Sequence, residues 1–415
     1  MKKTKRVLLL MLLLLGFGAY FLWNPSPKNH MPMLQIPPVE HNLQQRVETL
    51  LNSSSLRDDQ LGLYIYDLTS DTLFLTRNEE QLMPPASCTK LLTAIATASR
   101  FGLDHTLTDS LFYIGEVQDS TLYGSLLFKA DADPAFWEFR SLVDTLKQQG
   151  IKAIEGDLHL QLARRAPLRP HASWYQRDLP TNHLPLLFQG EQVVRASLRQ
   201  ELKRQGVRWN ECSPLLPPVV PNGAEQRGES PARKLIAAEQ HTVGEILAPM
   251  TLYSSNAYAQ CIWAAFQQQQ GWMTPSGNYL SDFIAREMHQ PFYKFTLSDA
   301  CGLSPENRLT ARFLVDLLRW AYDHQPIYEF LVDQALPIAG GGKRTGSLHW
   351  RMERTPAVGK VLAKTGTLNR LGVSALAGYL TTARGHLLAF AILNRDLTVE
   401  QSRPFQDRLC VELCK

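Results

Sequence analysis

Residues Lys360–Asn394 read KVLAKTGTLNRLGVSALAGYLTTARGHLLAFAILN. Three apolar runs stand out, KVLAKTG, VSALAGYLTT and LLAFAILN, the last two joined around Arg384-Gly385. Short apolar runs bounded by turn residues predict consecutive strands. A matching pair lies far upstream, where LGLYIYDL and TLFLT flank a Thr-Ser-Asp turn and predict a hairpin from Leu61 to Thr76. Two strands at one end, three at the other and helices between them predict an α+β domain with one antiparallel five-stranded sheet flanked by helices.

The helices follow from apolar spacing. HNLQQRVETLLN places Leu43, Val47, Leu50 and Leu51 on one face. CTKLLTAIATASRFG after Ser87 is a second helix, ended by Gly102. In the second half, Thr242-Val243-Gly244-Glu245 carries the capping-box pattern that opens TVGEILAPMTLY. NAYAQCIWAAFQ, Leu280–Glu287 and Thr310–Tyr322 continue the helical run, and a last helix is expected from Pro404 towards Lys415. From about Thr106 to Ala163 strands dominate, with SLFYIG, GSLLFKA and IEGDLHLQL, before the helix EQVVRASLRQELKRQG and a Pro/Gly-rich linker, Pro214–Pro231. Three regions are expected: residues 1–40, residues 41–105 plus 232–415 as the main domain, and residues 106–231 as a β-rich insertion with its linker.

A chain of 415 residues with 44% hydrophobic and 20% charged residues has the composition of a globular protein. Its formal charge of +4, from 43 Lys+Arg against 39 Asp+Glu, gives no electrostatic case for nucleic acid. Lys2, Lys3, Lys5 and Arg6 precede the uncharged run Val7–Trp23. That order reads as an export signal with its basic flank in the cytoplasm, and the weak cleavage context YFLWNPSP favours an uncleaved anchor. A Pro-rich stem follows, with Pro25, Pro27, Pro32, Pro37 and Pro38, so the functional body is expected outside the cytoplasmic membrane. The six cysteines, Cys88, Cys212, Cys261, Cys301, Cys410 and Cys414, form no Cys-x-x-Cys pair and are expected to be mostly small buried residues. No zinc-type histidine spacing or HExxH motif occurs, and neither a metal nor a cofactor is expected.

Three short motifs carry the chemistry. In PPASCTKLL, Ser87 and Lys90 lie three apart at a helix start, so hydroxyl and amine share a face. Serine needs an adjacent base, and lysine serves only if burial or a neighbouring cation lowers its pKa. The helix N-terminus adds free N–H groups suited to an oxyanion. By itself the pair reads equally well as a helix cap with a solvated lysine. Ser254-Ser255-Asn256 falls in the break between two helices, where a hydroxyl and an amide could complete a proton path. Ser276-Gly277-Asn278 has the same form inside a Pro-Gly turn and shows how little the triplet says alone. Lys364-Thr365-Gly366-Thr367 closes an apolar strand: Gly366 would admit a substrate backbone, and the lysine and threonine side chains suit a carboxylate. In that order, Ser-x-x-Lys, Ser-x-Asn and Lys-Thr-Gly are the motif set of β-lactamases and penicillin-binding proteins. Gly-x-Ser-x-Gly, which a rival serine hydrolase would need, is absent.

With these motifs in place, the chain resembles the low-molecular-mass penicillin-binding proteins that act as D-alanyl-D-alanine carboxypeptidase/endopeptidase, a serine peptidase family with a large insertion after the first motif. NEEQLMPPASCTKLLTAIA, GSLLFKADADP, IEGDLHL, SDACGLSPENRLT and LAKTGTLNRLGVSALAGYLTT are all similar to family segments. The resemblance implies a β-lactamase/transpeptidase-like domain. It implies Ser87 as the acylated nucleophile, Lys90 as its base and Ser254 as the proton relay to the leaving D-alanine. Asn256 would bind the acyl amide, Lys364 would stabilise charge at Ser254, and Thr365 and Thr367 would contact the terminal carboxylate. Peptidoglycan stem peptides are the implied substrates, crosslink cleavage a possible second activity, and β-lactams the covalent inhibitors.

Departures from the family pattern are also visible. Cys88 follows the nucleophile, Ser255 stands where Asp is common, and Ala300-Cys301 replaces a Gly-Ser pair. The interval from Lys90 to Ser254 is shorter than the family's usual insertion and longer than a β-lactamase allows. The alternatives are a β-lactamase or D-amino-acid esterase of the same fold, and a non-catalytic anchored peptidoglycan-binding protein.

Overall fold

Small and large apolar residues alternate along the C-terminal strands, and that alternation sets the layers of the protein. The computed structural model describes residues 41–175, 184–210, 233–267, 278–341, 344 and 346–415. The run Val7–Trp23, the Pro-rich stem, Cys212, the linker Pro214–Pro231 and Ser276-Gly277 lie outside the described residues. Among the described residues no helix is long and apolar enough to cross a membrane.

The elements run α1 (His41–Asn52), β1 (Leu61–Asp67), β2 (Thr72–Arg77), α2 (Thr89–Phe101), β3 (Thr106–Gln118) and β4 (Thr121–Ala130). Next come α3 (Arg140–Gln148), β5 (Ala153–Glu155), β6 (Leu158–Leu162), α4 (Glu191–Arg204), β7 (Arg208–Asn210) and β8 (Arg233–Thr242). Then follow α5 (Val243–Leu252), α6 (Asn256–Gln267), α7 (Tyr279–Arg286), α8 (Ala311–Asp323) and α9 (Gln325–Phe330). The chain ends with β9 (Val361–Leu368), β10 (Val373–Thr381), β11 (Leu387–Asn394) and α10 (Val399–Leu413).

The first sheet has five strands in the order β2-β1-β11-β10-β9, every pair antiparallel. Both faces are covered, which is why its strands read as nearly unbroken apolar runs. On one face Ala375, Ala377, Ala389 and Ala391 share a core with Leu314, Leu317 and Leu318 of α8 and with Leu91, Leu92 and Ile95 of α2. Their small side chains let α8 lie close against β1, β10 and β11. The opposite face carries Leu376, Leu380, Leu388, Phe390 and Ile392 against Val47 of α1 and Phe405 and Leu409 of α10. Each buried leucine or isoleucine contributes about 1.5–3 kcal/mol. The five-stranded antiparallel sheet and flanking helices expected from the sequence are present.

The second sheet has the order β7-β5-β4-β3-β8, with β6 beside β4. Its own core joins Leu111, Leu126, Phe128, Phe136 and Phe139 to Leu142, Val143 and Leu146 of α3 and Val194 and Leu198 of α4. Three differences from the sequence expectations have local causes. Arg140–Gln148 is a helix within a stretch read as strands, because Leu142, Val143 and Leu146 line up on one buried face. β8 pairs with β3 from Thr106↔Thr242 to Ile114↔Arg233, so the change of sheet comes at Thr242, not at the break expected after residue 231. Finally, α10 begins at Val399, where Thr398 and Gln401 form a capping box, and Pro404 sits inside the helix.

Candidate active site

Two prolines, Pro84 and Pro85, lead into a single 3-10 turn, Ala86–Cys88, and then into α2. Ala86 has φ 47°, a left-handed conformation that costs a non-glycine residue about 1–2 kcal/mol. Backbone packed on both sides holds it. A Cβ on Gly302 would come within 1.9 Å of the Ala86 carbonyl oxygen, and one on Gly366 within 2.7 Å of the Pro85 oxygen and 3.1 Å of the Ser87 nitrogen. The side-chain face of Gly366 is thus covered by Pro85–Ser87 of the chain itself, while β9 is the edge strand of its sheet. Strand β9 and the 302 turn clamp the peptide that carries Ser87.

In the first turn of α2, Lys90 is completely buried. Its Nζ lies 3.1 Å from Ser87 Oγ, 2.7 Å from Asn256 Oδ1 and 2.6 Å from the Cys301 carbonyl. Burial pushes its pKa down, partly opposed by Cys301, Asp299 and Cys88. A neutral amine has two N–H donors and one lone pair. In that form Asn256 Oδ1 and the Cys301 carbonyl, both acceptors, would take the two N–H groups and leave the lone pair facing the Ser87 hydroxyl.

Lys364 of β9 is equally buried, and its Nζ donates to Ser254 Oγ at 2.9 Å and to the Thr365 carbonyl at 2.7 Å. Burial first, and the Lys90 charge second, lower its pKa to about 7. Of the two causes the sequence reading allows, burial or a neighbouring cation, burial leads at both amines, and the mutual repulsion registers on Lys364. Ser254 has φ 59° in the break between α5 and α6, and Asn256 opens α6. Thr365 Oγ1 donates to Ser347 Oγ at 2.7 Å, and Thr367 Oγ1 accepts from an Arg403 nitrogen at 3.4 Å. Ser87, Lys90, Ser254, Asn256 and Lys364 therefore converge, with Thr365, Gly366 and Thr367 along the adjoining strand.

The sequence reading assigned no role to the loop that completes this arrangement. The buried Asp299 carboxylate accepts from the Cys301, Gly302 and Ser304 N–H groups at 3.1, 2.6 and 2.6 Å, and from Asn307 Nδ2 at 2.9 Å. Those bonds fix the turn that presents the Cys301 carbonyl to Lys90. Ala300 is pinned too: its N–H donates to Gln260 Oε1 and its carbonyl accepts from Thr93 Oγ1. The Cys301 thiol is buried and its pKa is raised by burial, while the Cys88 thiol is pushed up to about 12. Cys88 Sγ donates to the Lys364 carbonyl at 3.3 Å. Cys88, Cys261, Cys301, Cys410 and Cys414 are all free and buried, as expected for small packing residues. The histidine–aspartate pairs His241–Asp133 and His386–Asp67 sit at the end of β8 and the start of β11.

The sequence matches the D-Ala-D-Ala carboxypeptidase 3 (S13) family over residues 43–187 and 176–412. It is similar to the D-alanyl-D-alanine carboxypeptidase of Actinomadura sp. (strain R39), 32% identical over 180 residues, which are 42% of this chain and 32% of that protein. The similar segment thus spans about a third of that relative's length. D-alanyl-D-alanine carboxypeptidase DacB of Haemophilus influenzae is 22% identical over 412 residues, covering 80% of this chain and 84% of that protein. The crystal structure of penicillin binding protein 4 from Haemophilus influenzae superposes with a TM-score of 0.67 at 20% identity, covering 88% of this chain and 97% of that one. That likeness establishes the shared transpeptidase-like fold.

Proposed function

The chain belongs to the D-Ala-D-Ala carboxypeptidase 3 (S13) family, and from that premise we propose that it is a serine-type D-Ala-D-Ala carboxypeptidase acting on peptidoglycan stem peptides. The observation that carries this reading is the aim of Lys90: two acceptors hold its N–H groups while Ser87 Oγ lies 3.1 Å away.

On this reading the Lys90 lone pair takes the Ser87 proton as Oγ attacks the carbonyl of the penultimate D-alanine. The oxyanion is met by the backbone N–H groups of Ser87 and Thr367, each such donor stabilising the transition state by about 3 kcal/mol. The C–N bond then breaks. The leaving amine gains its proton through Ser254, whose hydroxyl Lys364 holds at 2.9 Å. Asn256 serves both the acyl amide and Lys90, and Thr365 and Thr367 receive the terminal carboxylate. Water hydrolyses the ester on Ser87, while a β-lactam leaves it occupied. The same acyl transfer with a longer leaving group would cut a peptide crosslink.

The reading extends to the rest of the chain. Residues 41–105 and those after Thr242 form the catalytic domain, and the segment between them is an insertion. The basic end and the run Val7–Trp23 place the catalytic body outside the cytoplasmic membrane, anchored where that run is retained.

The experiment is acylation by a fluorescent penicillin, followed by electrophoresis. Wild-type protein should label stoichiometrically and release D-alanine from a pentapeptide, and Ser87→Ala should do neither. An unlabelled wild type, or a labelled Ser87→Ala protein, refutes the assignment. Rapid turnover of the penicillin without a lasting adduct would favour a β-lactamase.

A further inference from the structure

The Asp299 carboxylate has one more donor. Four of its partners, at Cys301, Gly302, Ser304 and Asn307, belong to the loop it organises. The fifth is Trp174, 125 residues upstream, whose indole Nε1–H donates to Asp299 Oδ2 at 2.7 Å. The neighbouring residue repeats the tie: Ser173 Oγ lies 2.6 Å from Ser304 Oγ and 2.7 Å from His171 Nδ1. Both residues lie between β6 and α4, two elements that pack in the core of the second sheet. Trp174 also packs against the core around α2. This short stretch therefore fastens the second sheet's unit to the loop that faces Lys90.

We infer that Trp174 is a positioning residue for Lys90, acting through Asp299 and the Cys301 carbonyl. Asp299 holds the Cys301 N–H while the carbonyl of the same residue accepts from Lys90 at 2.6 Å. A rotation of the carboxylate therefore swings the acceptor that aims the lone pair at Ser87. The same turn brings Gly302 against the Ala86 carbonyl, so its drift would also reach the nucleophile's peptide. Without the indole donor, Oδ2 keeps only the Ser304 N–H at 2.6 Å, and the carboxylate is held by the loop's own four bonds, with no tie to the second sheet's unit. The insertion would thus contribute to catalysis without touching the reacting atoms: its docking sets the base. Lys90 faces Lys364 from β9, Asp299 and the Cys301 thiol from the loop, and the Cys88 thiol from the 3-10 turn ahead of its helix. A loosened loop would admit water to this group and lift the burial that lowers its pKa.

The test is Trp174→Phe in the full chain, which removes the N–H donor and keeps a smaller aromatic side chain in its place. Acylation by a fluorescent penicillin is followed by stopped flow across pH 5.5–10, with rates expressed per titrated active site. The expected result is about a tenfold fall in the saturating acylation rate, with noncovalent binding within about twofold. The acid limb of the profile should move to higher pH as Lys90 becomes harder to deprotonate. Trp209→Phe is the control: it removes an indole bond to the Gly156 carbonyl within the second sheet and should alter neither quantity. An unchanged rate and limb in Trp174→Phe, or an equal loss in Trp209→Phe, overturns the inference. If the phenylalanine variant does not fold, Ser173→Ala, which removes the hydroxyl's ties to Ser304 and His171, carries the same expectation, and an unchanged rate there overturns it. The inference rests on Lys90 being the base. Failure of wild-type labelling would sink that reading, whereas normal wild-type labelling with an unaltered Trp174→Phe protein would sink this one alone.

Discussion

Gly302→Ala tests whether the loop behind Ser87 sets the nucleophile's position. The added Cβ would lie 1.9 Å from the Ala86 carbonyl oxygen, 2.3 Å from its carbon and 2.9 Å from the Ser87 nitrogen. Contacts below 3.0 Å are essentially never made by real Cβ atoms, so the Ala86 peptide must retreat by at least about 1.1 Å. Gly302 itself has φ +82°, which adds about 1–2 kcal/mol of backbone strain for alanine. Neither side can yield freely, because Asp299 holds the loop and β9 stands behind Ser87. A displacement near 1 Å of a catalytic group lowers rates by about 100-fold, or about 2.7 kcal/mol in activation free energy. Acylation by penicillin should fall by about that factor per folded molecule, with a modest drop in thermal midpoint. Folded protein is quantified by circular dichroism, and the rate by rapid-quench labelling. An alanine variant that acylates at the wild-type rate would show that the 302 turn does not constrain Ser87.

Two further outcomes follow from other parts of the structure. The folded pKa of Lys364, about 7, lies below the ordinary lysine value of 10.5, so from pH 7 to 10.5 the unfolded chain binds a proton that the folded chain does not. Stability from this group rises with pH across that window, and the burial penalty is complete below pH 7. Lys364→Met should therefore abolish acylation yet raise the urea midpoint more at pH 6 than at pH 9.5, and an equal gain at both would contradict the burial argument. Thr242 caps α5 by accepting from the Glu245 N–H at 3.2 Å, and the Glu245 carboxylate accepts from the Thr242 N–H at 2.7 Å. Thr242→Ala should cost about 1 kcal/mol in urea unfolding and leave acylation per active site unchanged. A large catalytic loss there would tie the junction of the two sheets to the chemistry.

The three motifs could be read because each rests on side chains at short, regular spacings. Ser87 and Lys90 are one helical turn apart, and Lys364 closes a strand that its apolar neighbours announce. The unread part consists of backbone groups and distant pairs. The Cys301 carbonyl orients Lys90, and a carbonyl leaves no trace in residue identity. Trp174 and Asp299 meet across 125 residues, a separation no local pattern spans. Strand β8 was misplaced for a related reason. RKLIAAEQHT is exposed or half-buried apart from Ile236, its one buried residue, and its sequence carries no clear apolar alternation to assign it to a sheet. The start of α10 was legible in principle, since Thr398 and Gln401 have capping-box spacing, but Pro404 is the louder signal.

The two lysines make the proton inventory of the site unusually tight. Among the described residues, the hydrogen-bond partners of their amines are hydroxyls, an amide and carbonyls, with no carboxylate. Neutral acceptors orient an ammonium but do not repay its desolvation as an ion pair would, and two buried cations so close repel. The site therefore resists holding a full charge on both amines near neutral pH. On the proposed mechanism, that resistance is what makes acylation directional. Taking the Ser87 proton turns Lys90 into a cation in the same pocket as Lys364. The strain is relieved when a proton leaves towards the departing amine through Ser254, the hydroxyl that Lys364 touches. Asp299, the carboxylate whose charge acts on Lys90, accepts from the 301–304 turn, so it positions the base without pairing with it directly.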